Sequence, residues 1–118
     1  MSYDRGDIVI VPFPFILPTG QRMRKARPAL VISDMALARR YDDLILASIT
    51  SHIPEELKIT EVVIEASAEN GLAKTSTVRL EFLMTVPFEL VSRKIGTLTP
   101  EEMAQIDRKL LISLGLPI

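Results

Sequence analysis

Short apolar runs rich in Ile and Val, bounded by proline, glycine and charged residues, fill most of the chain. Asp7–Val11 (DIVIV) is a near-continuous β-branched run, the pattern of a strand buried on both faces. Pro12, Pro14, Pro18 and Gly20 interrupt the next stretch, so Pro12–Ala26 reads as a long loop ending in basic residues. Arg27–Ser33 (RPALVIS) and Leu44–Ser51 (LILASITS) are the next predicted strands. Between them, Ser33 or Asp34 is suited to cap a short helical turn through Met35–Arg40. Thr60–Ala66 (TEVVIEA) alternates as a fourth strand, and Asn70-Gly71 marks a turn. In Ser76–Met84 the alternation puts Val78, Leu80 and Phe82 on one face and Thr77, Arg79, Glu81 and Leu83 on the other. Pro87 ends that strand, and Ser92–Thr97 offers one more short one.

The C-terminal segment changes period. Thr99 is an N-cap, Pro100 suits the first helical position, and Glu102 completes a capping box. Met103, Ile106, Leu110 and Leu114 fall on one helical face before Gly115 and Pro117 stop the helix. Five or six short strands and a terminal helix predict a mostly-β fold, a small β-barrel with a docked helix, in a single domain over residues 1–118.

Composition narrows the chemistry. At 118 residues a compact chain buries roughly two thirds of its unfolded surface, so no staple is needed. Zero Cys excludes a disulfide scaffold, a thiolate metal site and a cysteine nucleophile. The absence of a long apolar run or an apolar leader predicts a cytoplasmic domain with no membrane partner. A net charge of −1 argues against a protein that coats nucleic acid everywhere. The charge is nonetheless uneven. Residues 1–33 carry five basic side chains against two carboxylates, and none of those carboxylates lies between Asp7 and Asp34.

Candidate sites are few. His52 is the single histidine, and the carboxylate pairs Asp42-Asp43, Glu55-Glu56 and Glu101-Glu102 are sequence neighbours whose side chains diverge, so no metal site or other cofactor is expected. The block Arg22, Arg24, Lys25 and Arg27 runs from a proline-bounded loop into a strand, where cations can meet a phosphodiester or simply keep a loop solvated. Arg27, at the loop–strand boundary, fits an anion clamp or a structural ion pair equally. Thr50 and Ser51 are strand-end hydroxyls suited to a phosphate or to a turn. Arg79 and Glu81 are two residues apart on one predicted face, as a solvated charge pair or as groups beside a substrate.

Five stretches in order carry a family resemblance: Arg5-Gly6-Asp7-Ile8-Val9, Arg27–Ser33, Ile49-Thr50-Ser51, Ser76–Glu81 and the Leu98–Leu114 helix. Together they resemble the MazF/PemK (Kid) toxins of type II toxin–antitoxin modules across nearly the whole chain. The resemblance implies an SH3-like β-barrel of the MazF/PemK/CcdB type with a C-terminal helix, acting as a homodimer. It implies a metal-independent endoribonuclease, an mRNA interferase cutting single-stranded RNA in a sequence-specific way. There the 2′-hydroxyl attacks the scissile phosphate, leaving a 2′,3′-cyclic phosphate and a free 5′-hydroxyl. The implied partners are a cognate antitoxin and, together with it, operator DNA.

Carried over position by position, Arg27 clamps the phosphate and Thr50 donates to the same oxygens, with Ser51 beside it. Arg79 and Glu81 match an Arg-x-Asp pair, which makes Glu81 the candidate base and Arg79 a phosphate partner or proton donor. A guanidinium holds its proton far above neutral pH, so the carboxylate is the better base. Arg22, Arg24, Lys25 and Ser51 are then RNA-binding candidates. Glu81 in place of Asp, and an Arg-rich segment Thr19–Ala26 in place of a Gly- and Gln-rich loop, are departures that bear on the cleavage consensus. The same barrel also serves two rival readings, a non-cutting nucleic-acid or antitoxin binder and a CcdB-like gyrase-directed toxin.

Overall fold

The computed structural model describes residues 2–16 and 22–117, with side chains left out for residues 13–16 and 22–24. Its elements are β1 (Asp7–Ile16), β2 (Arg22–Val31), β3 (Asp43–Thr50), β4 (Glu61–Ile64), β5 (Ser76–Pro87), β6 (Arg93–Thr97) and α1 (Pro100–Ser113). The six strands form one antiparallel sheet in the order β4-β5-β3-β2-β1-β6.

The sheet is curled enough to bury apolar residues on both faces. One face gathers Ile8, Leu30, Ala47, Ile49, Val62, Val78 and Leu80 around Ile106 of α1. The other gathers Val9, Val11, Ala29, Val31, Leu44 and Leu46 under Tyr3 and Phe88. That double burial explains why β1 reads as an unbroken β-branched run instead of an alternating one. The sheet's two edges meet through the connection after β4, since Thr97 N–H of β6 donates to the Glu69 carbonyl at 2.9 Å. Gly96 makes the contact possible, because a Cβ there would strike the Asn70 backbone.

The N-terminus is tied down by a buried carboxylate. Asp7 accepts from the Asp4 amide at 2.8 Å and the Thr97 hydroxyl at 3.0 Å, with Lys94 Nζ 3.3 Å away. In α1 the capping box is fully formed, Thr99 and Glu102 each accepting from the other's backbone N–H. Arg5 bridges α1 and the sheet, through Asp107 at 2.7 Å and the Ile32 carbonyl at 2.8 Å.

Several expectations are corrected. Pro12–Ala26 is not a long loop: β1 runs on to Ile16 and β2 begins at Arg22, paired from Val11↔Arg27 outward to Ile16↔Arg22. The prolines are compatible with a strand there because β6 pairs only with Asp7–Ile10, so the outer half of β1 is an edge that need not donate on its free side. Residues 17–21, the remainder of that predicted loop, lie outside the described residues. Met35–Arg40 forms no helix. Asp34 instead closes a single turn, its carboxylate accepting from Ala36 N–H at 3.0 Å and its carbonyl from Leu37 N–H at 3.3 Å. Leu114 is 53% exposed beyond the helix and does not extend its apolar face.

The alternation predicted for β5 also breaks. Arg79 stands opposite Ser48 and Leu83 opposite Ala47, so Leu80, Glu81 and Phe82 bulge out against β3. Past the bulge the faces swap. Leu83 joins the Leu80 side of the core, while Phe82 is 41% exposed.

Candidate active site

The ladder between β2 and β3 is short, running only from Val31↔Leu46 to Ala29↔Ser48. Beyond it β2 stays with β1 and parts from β3, because the outer half of β2 is paired to β1 and not to β3. The resulting wedge is closed on its third side by the stretch between β4 and β5. It holds a cavity of about 250 Å³ lined by Lys25, Arg27, Pro28, Ile49, Ser51, Leu72, Lys74 and Ser76, with Ala26 and Ala73. Lys25, Arg27, Lys74, Ser51 and Ser76 therefore line the space beside apolar residues, and among the described residues no carboxylate does.

Side chains alternate along each strand, so Arg27 projects from the face of β2 that carries Ala29, and Thr50 from the face of β3 that carries Ser48. Since Ala29 and Ser48 are paired, Arg27 and Thr50 are the next residues on that face, on either side of the opening wedge. Thr77 is paired with Thr50, and Arg79 with Ser48, on the same face of β5. The loop leaving β3 is stapled to both threonines. His52 N–H donates to Thr50 Oγ1 at 3.2 Å, and Thr77 Oγ1 donates to the His52 carbonyl at 3.2 Å. Thr50 is left with its own hydroxyl proton to donate, whereas that of Thr77 is already engaged.

Lys25, Arg27 and Ser51 thus line one cavity, while Arg27 shares its sheet face with Thr50 across the wedge and with Arg79 one row along the sheet. Arg79 also faces Glu61 of β4, and its guanidinium carbon lies 5.2 Å from the Phe82 ring centroid, within cation–π range. Glu81 is not brought to the cavity. It is exposed on the bulge, and the two-residue spacing from Arg79 no longer places both on one regular face. Arg22 and Arg24 belong to the outer half of β2, and their side chains lie outside the described residues.

Lys74, Ser76 and Leu72 are lining residues that the sequence pattern did not single out. Lys74 is the one cation between Lys58 and Arg79, four residues after Asn70, and that isolation next to a turn was the available signal. Among the described residues, no group of three or more His, Asp or Glu is arranged to hold a metal ion. Among the same residues, no helix is long and apolar enough to cross a membrane.

Residues 4–114 match the family described as PemK-like, MazF-like toxin of type II toxin–antitoxin system. The chain belongs to that family. It is 31% identical over 116 residues to endoribonuclease EndoA of Bacillus subtilis strain 168, covering 98% of this chain and 97% of that protein. A probable endoribonuclease MazF of Mycolicibacterium smegmatis is 27% identical over 112 residues, 95% of this chain and 96% of the other. Among solved structures, an endoribonuclease from a mycobacterial species in complex with its cognate antitoxin superposes with a TM-score of 0.74 at 23% identity, over 99% of both chains. MazF from Deinococcus radiodurans superposes with a TM-score of 0.74 at 20% identity, over 98% of this chain and 99% of that one. The expected mostly-β toxin fold with its C-terminal helix is therefore the observed one, and the PemK/MazF resemblance read from five motifs holds over the whole length.

Proposed function

We propose that this PemK/MazF-family toxin is an endoribonuclease that cuts single-stranded RNA at the wedge between β2 and β3. The observation that carries the reading is a cavity lined by Lys25, Arg27 and Ser51 and, among the described residues, by no carboxylate, with Arg27 and Thr50 on one shared sheet face across the opening wedge. A phosphodiester there meets a guanidinium fork and hydroxyl donors, the groups that stabilise charge on a pentacoordinate phosphorus.

In the proposed reaction the ribose 2′-oxygen attacks the adjacent phosphorus and loses its proton to the Glu81 carboxylate. The bond from phosphorus to the 5′-oxygen breaks, and that oxygen takes up a proton. A 2′,3′-cyclic phosphate and a 5′-hydroxyl remain. Arg27 holds the non-bridging oxygens, Thr50 and Ser51 donate to them, and Arg79 lies one row away as a phosphate partner or the proton donor. Lys25, Arg22 and Arg24 guide the flanking strand. An acidic antitoxin segment is the matching inhibitor for this basic edge, folding as it covers the groove. A homodimer in the cytoplasm, able to occupy operator DNA together with its antitoxin, completes the reading.

One observation favours a second reading. Glu81 sits on an exposed bulge and is no wall of the cavity, as suits a module that binds RNA or antitoxin without cutting. Purified protein incubated with single-stranded RNA in EDTA separates the two. The nuclease yields cyclic-phosphate ends, and Arg27→Ala lowers the rate at least ~10²-fold, the scale for losing a transition-state donor. Cleavage that depends on a divalent cation, or that survives Arg27→Ala intact, overturns the mechanism. Binding without cleavage selects the second reading.

A further inference from the structure

Phe82 is an exposed aromatic ring on a strand with apolar packing on both faces, and the β5 bulge puts it there. Unbroken alternation would turn it to the side of Val78 and Leu80, into the cluster around Ile106. Between the Arg79↔Ser48 and Leu83↔Ala47 pairings, however, β5 has three residues where β3 has none. Leu83 then packs with the Ile106 cluster and Met84 with the other, so Phe82, the neighbour of Leu83, is turned to the Met84 side. Arg79 is on that side as well, opposite Ser48, which alternates with Leu46. The bulge is anchored where it begins, since Leu80 N–H donates to the Thr60 carbonyl at 2.9 Å. The Phe82 ring is 41% exposed, and the guanidinium carbon of Arg79 stands 5.2 Å from its centroid.

The ring is an unusual neighbour for this cation, because carboxylates are close along the sheet. Glu61 is paired with Arg79 across β4 and β5, and Glu81 is two residues on. Among the described residues neither of them forms an ion pair with Arg79. A carboxylate partner would occupy guanidinium N–H groups and cancel the charge. An aromatic face does neither: it attracts the cation through the ring quadrupole and leaves the N–H fork open to another acceptor. Resting on the ribonuclease reading, we infer that Phe82 is a positioning residue for Arg79. It holds the guanidinium as an unneutralised donor for the RNA phosphate and keeps it from collapsing onto Glu61 or Glu81. Leucine in its place would cover the same surface without holding a cation.

Two measurements test this. In NMR spectra of the free protein, the ring current of Phe82 should shift the Arg79 side-chain protons upfield. The shift should disappear in Phe82→Leu and persist in Phe82→Tyr. In single-turnover cleavage of a long single-stranded RNA, Phe82→Leu should slow the chemical step about two- to fivefold, the weight of a partly exposed cation–π contact. The RNA concentration for half-saturation should stay as in the wild type, and Phe82→Tyr should restore the rate. Arg79→Ala should lose ~10²-fold, as for a transition-state donor. Adding Phe82→Leu to Arg79→Ala should cost nothing more, since the ring then has no cation to hold.

Arg79 resonances that are unshifted in the wild type, or unmoved by Phe82→Leu, overturn the positioning. So does a rate that falls equally in Phe82→Leu and Phe82→Tyr. A Phe82→Leu loss of the same size in the Arg79→Ala background also overturns it, because the ring would then act without Arg79. A wild type that cuts no RNA ends the ribonuclease reading, and the Arg79 resonances still decide whether Phe82 holds the guanidinium.

Discussion

The hydroxyl of Ser113, the last residue of α1, donates a 2.7 Å hydrogen bond to the carbonyl of Leu80. Leu80 opens the β5 bulge, where β3 offers no partner between the Arg79 and Leu83 pairings. The Thr60 carbonyl, just before β4, accepts from Leu80 N–H at 2.9 Å, and the helix serves the Leu80 carbonyl. The C-terminal helix therefore does more than cover the core around Ile106: it holds the segment that displays Glu81. Ser113→Ala should lower stability by about 1 kcal/mol, the net value of one partly buried hydrogen bond. Ser113→Thr should recover most of that. Urea melts at constant m-value check both, and an unshifted midpoint for the alanine variant would show that the bond contributes nothing.

Gly96 and Gly115 separate steric contact from backbone conformation. A Cβ at Gly96 would overlap the Asn70 backbone, and a neighbouring backbone cannot swing aside as a side-chain tip can. Gly115 has φ +71° with nothing within 4 Å of a Cβ, so alanine there meets only the left-handed backbone cost of about 1 kcal/mol. Gly96→Ala should cost at least ~2 kcal/mol more than Gly115→Ala in parallel denaturation curves, because it forces the sheet edges apart. Comparable losses would refute the interlock between β6 and the connection after β4.

The range of the forces involved decides which features are legible in the sequence. The capping box at Thr99 and Glu102 is local, with both partners within one turn, and it was readable as it stands. The buried strands were readable because their β-branched content does not depend on which strand is the neighbour. Pro12 and Pro14 were misleading because their tolerance depends on a non-local fact, that β6 stops pairing with β1 at Ile10. The β5 bulge has no local mark in Leu80-Glu81-Phe82, so alternation put Glu81 on the face of Arg79 and Phe82 on the face of Leu80. Arg27 was legible as a loop–strand boundary residue. Lys74 was not, because only the fold around Asn70 brings its stretch to the cavity that Arg27 lines.

Thr50 has two duties that substitution can divide. Its hydroxyl oxygen accepts from His52 N–H, and its hydroxyl proton is free for a phosphate oxygen. Thr50→Val keeps the shape and removes both, whereas Thr50→Ser keeps both. The valine variant should lose ~10²-fold in RNA cleavage, as for an oxyanion donor, and about 1 kcal/mol in stability from the lost loop bond. The serine variant should stay within about threefold of wild type. A valine variant that loses stability but keeps its cleavage rate would assign Thr50 to the loop alone.

Glu81 and Glu61 are the two carboxylates that flank Arg79, one two residues along the bulged strand and the other across the β4–β5 pairing. They differ in commitment. Glu61 Oε1 accepts from Lys58 N–H at 2.8 Å and closes the turn into β4, while Glu81 is exposed on a bulge held from behind by Ser113. A carboxylate spent on a turn is poorly placed to follow a proton, and one on a bulge can reach over the strand toward an approaching ribose. Glu81→Gln should lower kcat by ~10²- to 10⁴-fold, the usual range for removing a general base, with binding of uncleavable single-stranded DNA retained. Glu61→Gln keeps an acceptor oxygen for Lys58 and should leave kcat within about threefold. Single-turnover cleavage of a long single-stranded RNA reads the chemical step directly. If the two variants exchange their effects, the base is Glu61 and the turn at Lys58 must open during the reaction. If neither slows the chemical step, the proton leaves through another group and the bulge serves binding alone.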